Sequence, residues 1–104
     1  MSNLRDLKWS KVIRRRDNEK CRWCGRPGGS VAHFIPRKRM GVRYVLENGW
    51  CACSDHHKRY DKSPKFRKLV IKILLGEVTY YNLREVADGK KDIGSYGFTE
   101  VDCD

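Results

Sequence analysis

Four side chains that bind metals occur in this sequence as two closely spaced pairs. Cys21 and Cys24 are separated by two residues, and Cys53 and His56 repeat that spacing. Thiolates and imidazoles spaced in this way bind Zn²⁺ tetrahedrally, each pair converging on one ion. Cys51 could replace Cys53 as a zinc ligand. We prefer Cys53 as the ligand, because Cys53 lies one helical turn before His56. We therefore predict one structural zinc site, with Cys51 as a small buried residue.

A second histidine follows His56 directly and must face another direction. Neighbouring residues of a helix point about 100° apart, so His57 cannot easily serve the site of His56. Asp61 lies four residues later, on the same helix face as His57. Such a pair can bind a divalent cation and leave positions open for phosphate and water. The alternative is an ordinary hydrogen-bonded surface pair.

The elements that must position these groups are predicted to be two strands and a helix. Residues 31–35 are apolar and β-prone and stop at a proline, and residues 50–53 can form the returning strand. Ser54 and Asp55 offer an N-cap for the helix that carries His57. The sequence thus predicts the order strand, strand, helix.

Helical segments are predicted on both sides of this core. Residues 4–19 contain apolar residues near helical spacing, namely Leu4, Leu7, Val12 and Ile13. A Ser–Pro pair begins a helix over about residues 64–75, which Gly76 ends. Residues 77–86 are ambiguous between helix and loop, and the tail from residue 88 is expected to be irregular. The large aromatic residues expected in the core are Trp9, Trp23, Phe34, Trp50 and Phe66.

The composition indicates one small basic domain. The chain has 104 residues and a formal net charge of +10, so it can build one modest core that a bound metal would help to stabilise. Basic residues cluster in segments 5–16, 37–43 and 58–72. This excess predicts a polyanionic partner, because phosphate binding releases counterions. A solvated basic face is the alternative.

Cysteine usage and hydropathy predict the compartment. Five cysteines mixed with histidines argue against a disulfide framework, and Cys103 is expected to be a free thiol. No signal-like segment opens the chain. The longest apolar stretch, residues 69–75, contains Lys72 and is too short to cross a membrane. We expect a cytoplasmic protein with no membrane partner.

Together these features resemble the HNH endonuclease family, particularly its small phage and prophage members with two zinc half-sites. The resemblance covers residues 14–62 and rests on His33 before a proline, Asn48 in the returning loop and His57 after the zinc pair. It implies an α+β fold of the zinc-stapled ββα-metal type, with flanking N- and C-terminal helices, in one domain over residues 1–104. Its parts would be a basic helix (1–20), a zinc-bound core (21–62), a helical extension (63–87) and a polar tail (88–104).

The resemblance also implies roles for single residues. His33 matches the general base and His57 the metal ligand on the helix. Asn48 matches the orienting asparagine, which would accept from the imidazole N–H or hold the loop. Asp61 matches a second ligand, while Ala32 stands where many members have a further one. The resemblance implies Mg²⁺ or Mn²⁺ beside the structural zinc, and products with 5′-phosphate and 3′-hydroxyl ends.

The basic loop between the strands is the predicted contact with double-stranded DNA. Arg37 would clamp a phosphate near the scissile bond, because its guanidinium matches phosphate oxygens. Lys38, Arg39 and Arg43 would follow the DNA backbone. A monomer would nick one strand, and cutting both would require a dimer or two visits. Family analogy adds phage packaging proteins as partners.

Three other functions remain open from the sequence. A non-catalytic zinc DNA-binding module explains the charge and the zinc site, but it gives no reason for the pair His57 and Asp61. An RNA-directed protein is open because basic charge does not distinguish nucleic acids, although the aromatic residues are scattered. A redox protein using Cys21 and Cys24 is disfavoured by the second zinc pair.

Overall fold

The computed structural model describes residues 4–101 and has an α+β arrangement around a short sheet. Within that range, β1 (Ser30–His33) pairs antiparallel with β2 (Gly49–Ala52). Helix α2 (Ser54–Lys62) follows β2 after one residue. The predicted order strand, strand, helix is confirmed, although both strands begin one residue earlier than predicted.

Three further helices are described in the same range: α1 (Leu4–Arg16), α3 (Pro64–Val70) and α4 (Glu77–Ala87). Ser63 Oγ accepts a hydrogen bond from Phe66 N–H at 3.1 Å, which begins α3 as predicted. α3 continues into a π-helical turn over Ile71–Leu75, and Gly76 then separates it from α4. The ambiguous segment is therefore a helix. Short 3₁₀ turns cover Met40–Val42, Leu46–Asn48 and Ile93–Tyr96.

Helix α1 packs through a different face from the one predicted. Trp9 and Ile13, four residues apart, are buried, whereas exposure is 79% for Leu4, 56% for Leu7 and 37% for Val12. Gly49 permits this contact, because a Cβ at that position would lie 2.5 Å from Trp9 Cζ2. The predicted apolar stripe was therefore wrong except at Ile13.

An aromatic cluster fixes α2 against the sheet. The rings of Phe34, Trp50 and Tyr60 pack with centroids 5.6 to 6.4 Å apart. The Tyr60 hydroxyl donates to the Phe34 carbonyl at 2.8 Å. Of the aromatic residues expected in the core, all are buried except Trp23, which is partly buried. No helix within residues 4–101 is long and apolar enough to span a bilayer.

The tail is more ordered than predicted and pairs with the inter-strand loop, residues 34–48. Leu46 N–H donates to the Thr99 carbonyl at 2.7 Å, and Val101 N–H donates to the Tyr44 carbonyl at 3.0 Å. Val101 is buried. The C-terminal segment thus forms an outer edge for this loop. Cys103, the expected free thiol, lies outside the described residues.

Candidate metal centre and adjoining cleft

The four predicted zinc ligands converge on one point. The ligand atoms of Cys21, Cys24, Cys53 and His56 lie within 4.8 Å of one another. His56 Nδ1 is 3.3 Å from Cys53 Sγ and 3.7 Å from Cys21 Sγ, and the Sγ atoms of Cys24 and Cys53 are 3.9 Å apart. Ligand atoms around one tetrahedral Zn²⁺ are about 3.5–3.8 Å apart, given bonds of about 2.0–2.3 Å. This Cys₃His cluster could therefore hold a metal ion such as zinc.

Local backbone geometry explains why these residues meet. Gly25 has a φ of 79° and donates its N–H to the Cys21 carbonyl at 2.8 Å, which closes the tight turn around the first pair. Cys53 is the N-cap residue of α2, so His56 follows within the first turn. Cys51 lies outside the cluster, buried, with its Sγ donating to the Gly28 carbonyl at 3.2 Å. The structure thus brings Cys53, the preferred residue, and not Cys51, together with the other three side chains.

Arg26 places a positive charge against the thiols. Its Nε donates to Cys24 Sγ at 3.4 Å, and its Nη2 lies 3.9 Å from Cys53 Sγ. This hydrogen bond lowers the pKa of Cys24 to about 6. If Zn²⁺ were bound by three thiolates and one imidazole, the site would carry one net negative charge, which the Arg26 guanidinium would balance. The sequence alone did not predict that Arg26 contacts the thiols, because a single arginine does not form a recognisable motif.

A cleft of about 920 Å³ is bordered by residues of α1, β1, α2 and α3. His33, His57 and Asp61 all line it. The structure thus brings the predicted base and the predicted second ligand pair to one cavity. Asn48 does not line this cleft and is fully buried.

His33 is held in one orientation and one tautomer. Its Nε2 lies 3.0 Å from the Arg43 carbonyl, and a carbonyl can only accept, so Nε2 carries the hydrogen and Nδ1 the lone pair. The Trp9 indole stacks on the ring, with centroids 4.0 Å apart and an 11° interplanar angle. Burial lowers the pKa of His33 to about 4. The imidazole is therefore neutral at pH 7 and can accept a proton.

His57 and Asp61 face each other across a gap on α2. His57 Nε2 is 3.7 Å from Asp61 Oδ2, which is longer than a hydrogen bond. The Asp61 side chain is 66% exposed and has room to move. The other ring nitrogen of His57, Nδ1, contacts Ser30 Oγ. The helix therefore presents one nitrogen and one carboxylate oxygen close together at the cleft.

Asn48 holds the inter-strand loop. Its Oδ1 accepts from Ile35 N–H at 2.8 Å, and its Nδ2 donates to the carbonyls of Ile35 and Val42, both at 3.1 Å. Of the two roles expected for Asn48, these hydrogen bonds fit the second and not the first. The partner of the imidazole is the Arg43 carbonyl, whose position the loop determines.

The substitution Asn48→Asp is expected to lower the free energy of unfolding by about 2–6 kcal/mol. The change removes the donor to the Ile35 and Val42 carbonyls, and each buried group left unsatisfied costs about 1–3 kcal/mol. Urea denaturation measures the effect. Asn82→Asp, on the partly exposed surface of α4, is the matched control and should change stability by less than about 0.5 kcal/mol. Equal stability of the two variants would contradict the role of Asn48.

Three of the four side chains predicted to bind DNA, Arg37, Arg39 and Arg43, are paired with acidic residues. Arg43 Nε and Nη2 donate to the two carboxylate oxygens of Asp6, at 3.0 and 2.6 Å, and the Arg43 side chain is only 15% exposed. Arg39 forms an ion pair with Asp88. The prediction that Arg43 follows the DNA backbone is corrected, because the described geometry makes it an anchor between α1 and the inter-strand loop.

Other basic side chains border the cleft. Arg37 lines it with a side chain that is 63% exposed and whose Nη2 lies 3.4 Å from Asp6 Oδ2. Lys38, the next residue, is exposed. Arg67 and Lys68 of α3 line it from the other side. Arg67 Nη1 donates to the Tyr60 and Asp61 carbonyls at 2.8 and 3.3 Å, so its guanidinium has a fixed position. The cleft is thus bordered by positive charge from two parts of the chain.

Comparisons with protein-family models, curated proteins and solved structures find no match to this chain.

Proposed function

We propose that this protein is a metal-dependent DNA endonuclease of the HNH (ββα-metal) type. The observation that carries the proposal is the shared cleft, which His33, neutral and fixed in tautomer, lines together with His57 and Asp61. The strand, strand, helix order and the Cys₃His cluster at the start of α2 also support it. The zinc has a structural role and lies outside the reaction.

The proposed reaction is hydrolysis of a phosphodiester bond. His33 Nδ1 takes a proton from a water molecule as the water oxygen bonds to phosphorus. The bond between phosphorus and the 3′ oxygen breaks, and that oxygen takes up a proton from solvent water, which leaves a 5′-phosphate and a 3′-hydroxyl. His33 then releases its proton to solvent and is neutral again. The Trp9 ring and the Arg43 carbonyl keep the imidazole aligned throughout.

The spacing of His57 and Asp61 is compatible with a divalent cation such as Mg²⁺ or Mn²⁺. Two ligand atoms about 2.1 Å from one ion lie about 3.0–3.4 Å apart, and a small movement of the exposed Asp61 closes the observed 3.7 Å to that range. When bound, the cation supplies Lewis-acid stabilisation of charge on the phosphoryl oxygens.

Positive charge around the cleft supports a nucleic-acid substrate. Arg37, Arg67 and Lys68 line the cavity, and the chain carries a net charge of +10. Guanidinium groups bind phosphate oxygens in pairs, whereas an ammonium acts as a point charge. We assign double-stranded DNA as the substrate, with Arg37 and Arg67 as the phosphate contacts nearest the reacting centre.

Purified protein incubated with supercoiled plasmid tests the proposal. We expect Mg²⁺ or Mn²⁺ to convert the plasmid to open circles, and His57→Ala, which keeps the four zinc ligands, to be at least about 100-fold slower. Cys51→Ser is the control and should cut within about twofold of the wild-type rate. Linear product formed directly would indicate that two copies act together.

The second candidate is a non-catalytic zinc DNA-binding module. The Cys₃His cluster and the basic surface favour it, because neither requires a reaction. Retardation of DNA in a gel without cleavage under any divalent ion would support this module and contradict the endonuclease. Cleavage of RNA but not of DNA would support the proposed phosphodiester hydrolysis and contradict the assignment of DNA as the substrate.

A further inference from the structure

Ser30 joins the strand and the helix that form the candidate site. It is the first residue of β1, is half-buried, and pairs with Ala52 of β2. Its Oγ contacts Nδ1 of His57, a residue 27 positions later in the chain. In the sequence, Ser30 follows Gly28 and Gly29 and belongs to none of the metal-binding pairs, so its position there indicates no role.

The backbone on which Ser30 stands is tightly fixed. A Cβ at Gly28 would lie 2.9 Å from the carbonyl carbon and oxygen of Ala52, so the turn before β1 packs directly on β2. β2 leads into α2 through Cys53 alone. Ser30 and His57 are therefore held on two rigid elements whose relative position the sheet and the Cys₃His cluster both determine.

The contact has a consequence for the tautomer of His57. A neutral imidazole has one N–H and one lone pair on different nitrogens. When Nδ1–H donates to Ser30 Oγ, the lone pair is on Nε2, the nitrogen 3.7 Å from Asp61 Oδ2. In the other tautomer, Nε2 carries the hydrogen and cannot bind a cation. Histidines that bind metals nearly always donate their second N–H to a fixed acceptor in this way.

We propose that Ser30 is a positioning residue for the cation-binding histidine of the cleft. Its hydroxyl oxygen accepts from Nδ1–H of His57 and so keeps the Nε2 lone pair directed towards Asp61. The inference deepens the proposed function and rests on it, since it assigns a role to Ser30 in binding the divalent cation. It does not involve the Cys₃His cluster, of whose four residues only His56 lies within α2.

The test uses zinc-loaded protein and three variants, with Mn²⁺ as the probe. Titration calorimetry is expected to show that Ser30→Ala binds Mn²⁺ about 10–100-fold more weakly than wild type, the cost typical of losing such a partner. Ser30→Thr keeps the hydroxyl on a strand residue and should bind within about threefold of wild type. His57→Ala defines the level of binding without the histidine.

Two further readouts separate positioning from a general structural effect. Nitrogen NMR of the His57 ring in protein without Mn²⁺ should show the hydrogen on Nδ1 in wild type and Ser30→Thr, and mixed tautomers in Ser30→Ala. Plasmid nicking by Ser30→Ala should require more Mn²⁺ but approach the wild-type rate at saturation. Zinc content and circular dichroism should be the same in all four proteins.

The outcomes distinguish this inference from the proposed function. If Mn²⁺ binding depends on His57 but Ser30→Ala binds it as tightly as wild type, the role of Ser30 is refuted and the endonuclease stands. If wild type and His57→Ala bind Mn²⁺ equally and neither cuts DNA, the proposed function is refuted. The role of Ser30 in cation binding is then refuted as well, because it rests on that function. An unchanged tautomer in Ser30→Ala refutes the hydrogen-bond argument in either case.

Discussion

Replacing Cys53 with serine is expected to abolish stoichiometric zinc binding and to lower the melting temperature by at least about 15 °C. A structural zinc contributes about 10–16 kcal/mol in small domains that fold around it, and a whole domain is stable by only about 5–15 kcal/mol. Cys53 also belongs to the buried cluster with Trp50 and Tyr60, so loss of the metal loosens the core. Elemental analysis of zinc and thermal melting by circular dichroism measure both effects.

Cys51→Ser is the matched control, two residues away on β2. Its Sγ donates to the Gly28 carbonyl at 3.2 Å, a hydrogen bond that a serine hydroxyl can also make. This variant should retain one zinc per chain and melt within about 8 °C of wild type, since a change at one retained hydrogen bond costs about 1 kcal/mol and each kcal/mol lowers the melting temperature by about 4–8 °C. Zinc retained by Cys53→Ser and lost from Cys51→Ser would show that the assignment of the ligands is wrong.

The second large effect is expected at His33. His33→Ala should slow metal-dependent plasmid nicking about 10²–10⁴-fold, the contribution of a positioned general base, while DNA affinity in a gel-shift assay changes by less than about twofold. His33→Gln keeps a donor for the Arg43 carbonyl but has no imidazole, so it should be slowed as much as His33→Ala. Near-wild-type nicking by His33→Gln would assign the base to another group.

The pH dependence of nicking follows from the burial of His33. Because burial lowers its pKa to about 4, the imidazole stays in the neutral, proton-accepting form when the pH falls from 7.5 to 6. At saturating Mn²⁺ the rate should therefore change by less than about twofold over this range. An exposed histidine with a pKa of about 6.5 would lose about three quarters of its neutral form at pH 6. A rate that halves near pH 6.5 would contradict the buried environment.

The zinc cluster could be predicted from the sequence because its geometry is local. Two residues between Cys21 and Cys24, and again between Cys53 and His56, bring each pair together within one turn. The pair His57 and Asp61 could also be predicted, since α2 places residues four apart on one face of the helix. Local spacing also gave the strand, strand, helix order.

The packing of α1 could not be predicted from its own residues. Apolar side chains occur on more than one face of this helix, and the face that is buried depends on the space above Gly49. The ordered conformation of the tail was not predicted, for a related reason. Its pairing with Tyr44 and Leu46 uses backbone groups, and backbone hydrogen bonds leave no pattern in the side chains.

The supporting residues of the site were the least predictable part. Asp6 with Arg43 and Ser30 with His57 are pairs of polar side chains, 37 and 27 positions apart, that meet only in the folded chain. Arg43 is an example. Its position in a basic loop predicted contact with DNA, but in the structure it binds the carboxylate of Asp6, which lies 37 positions earlier in the chain.

The pairing of the tail with the inter-strand loop sets an order of events during translation. The four residues of the Cys₃His cluster have all been synthesised by residue 56, so a nascent chain can begin to hold zinc early. The inter-strand loop carries the Arg43 carbonyl that contacts His33, and its Leu46 N–H and Tyr44 carbonyl pair with residues 99 and 101. These two hydrogen bonds can form only after residues 99–101 have been synthesised. The metal site can in this way form before the surroundings of His33 are complete.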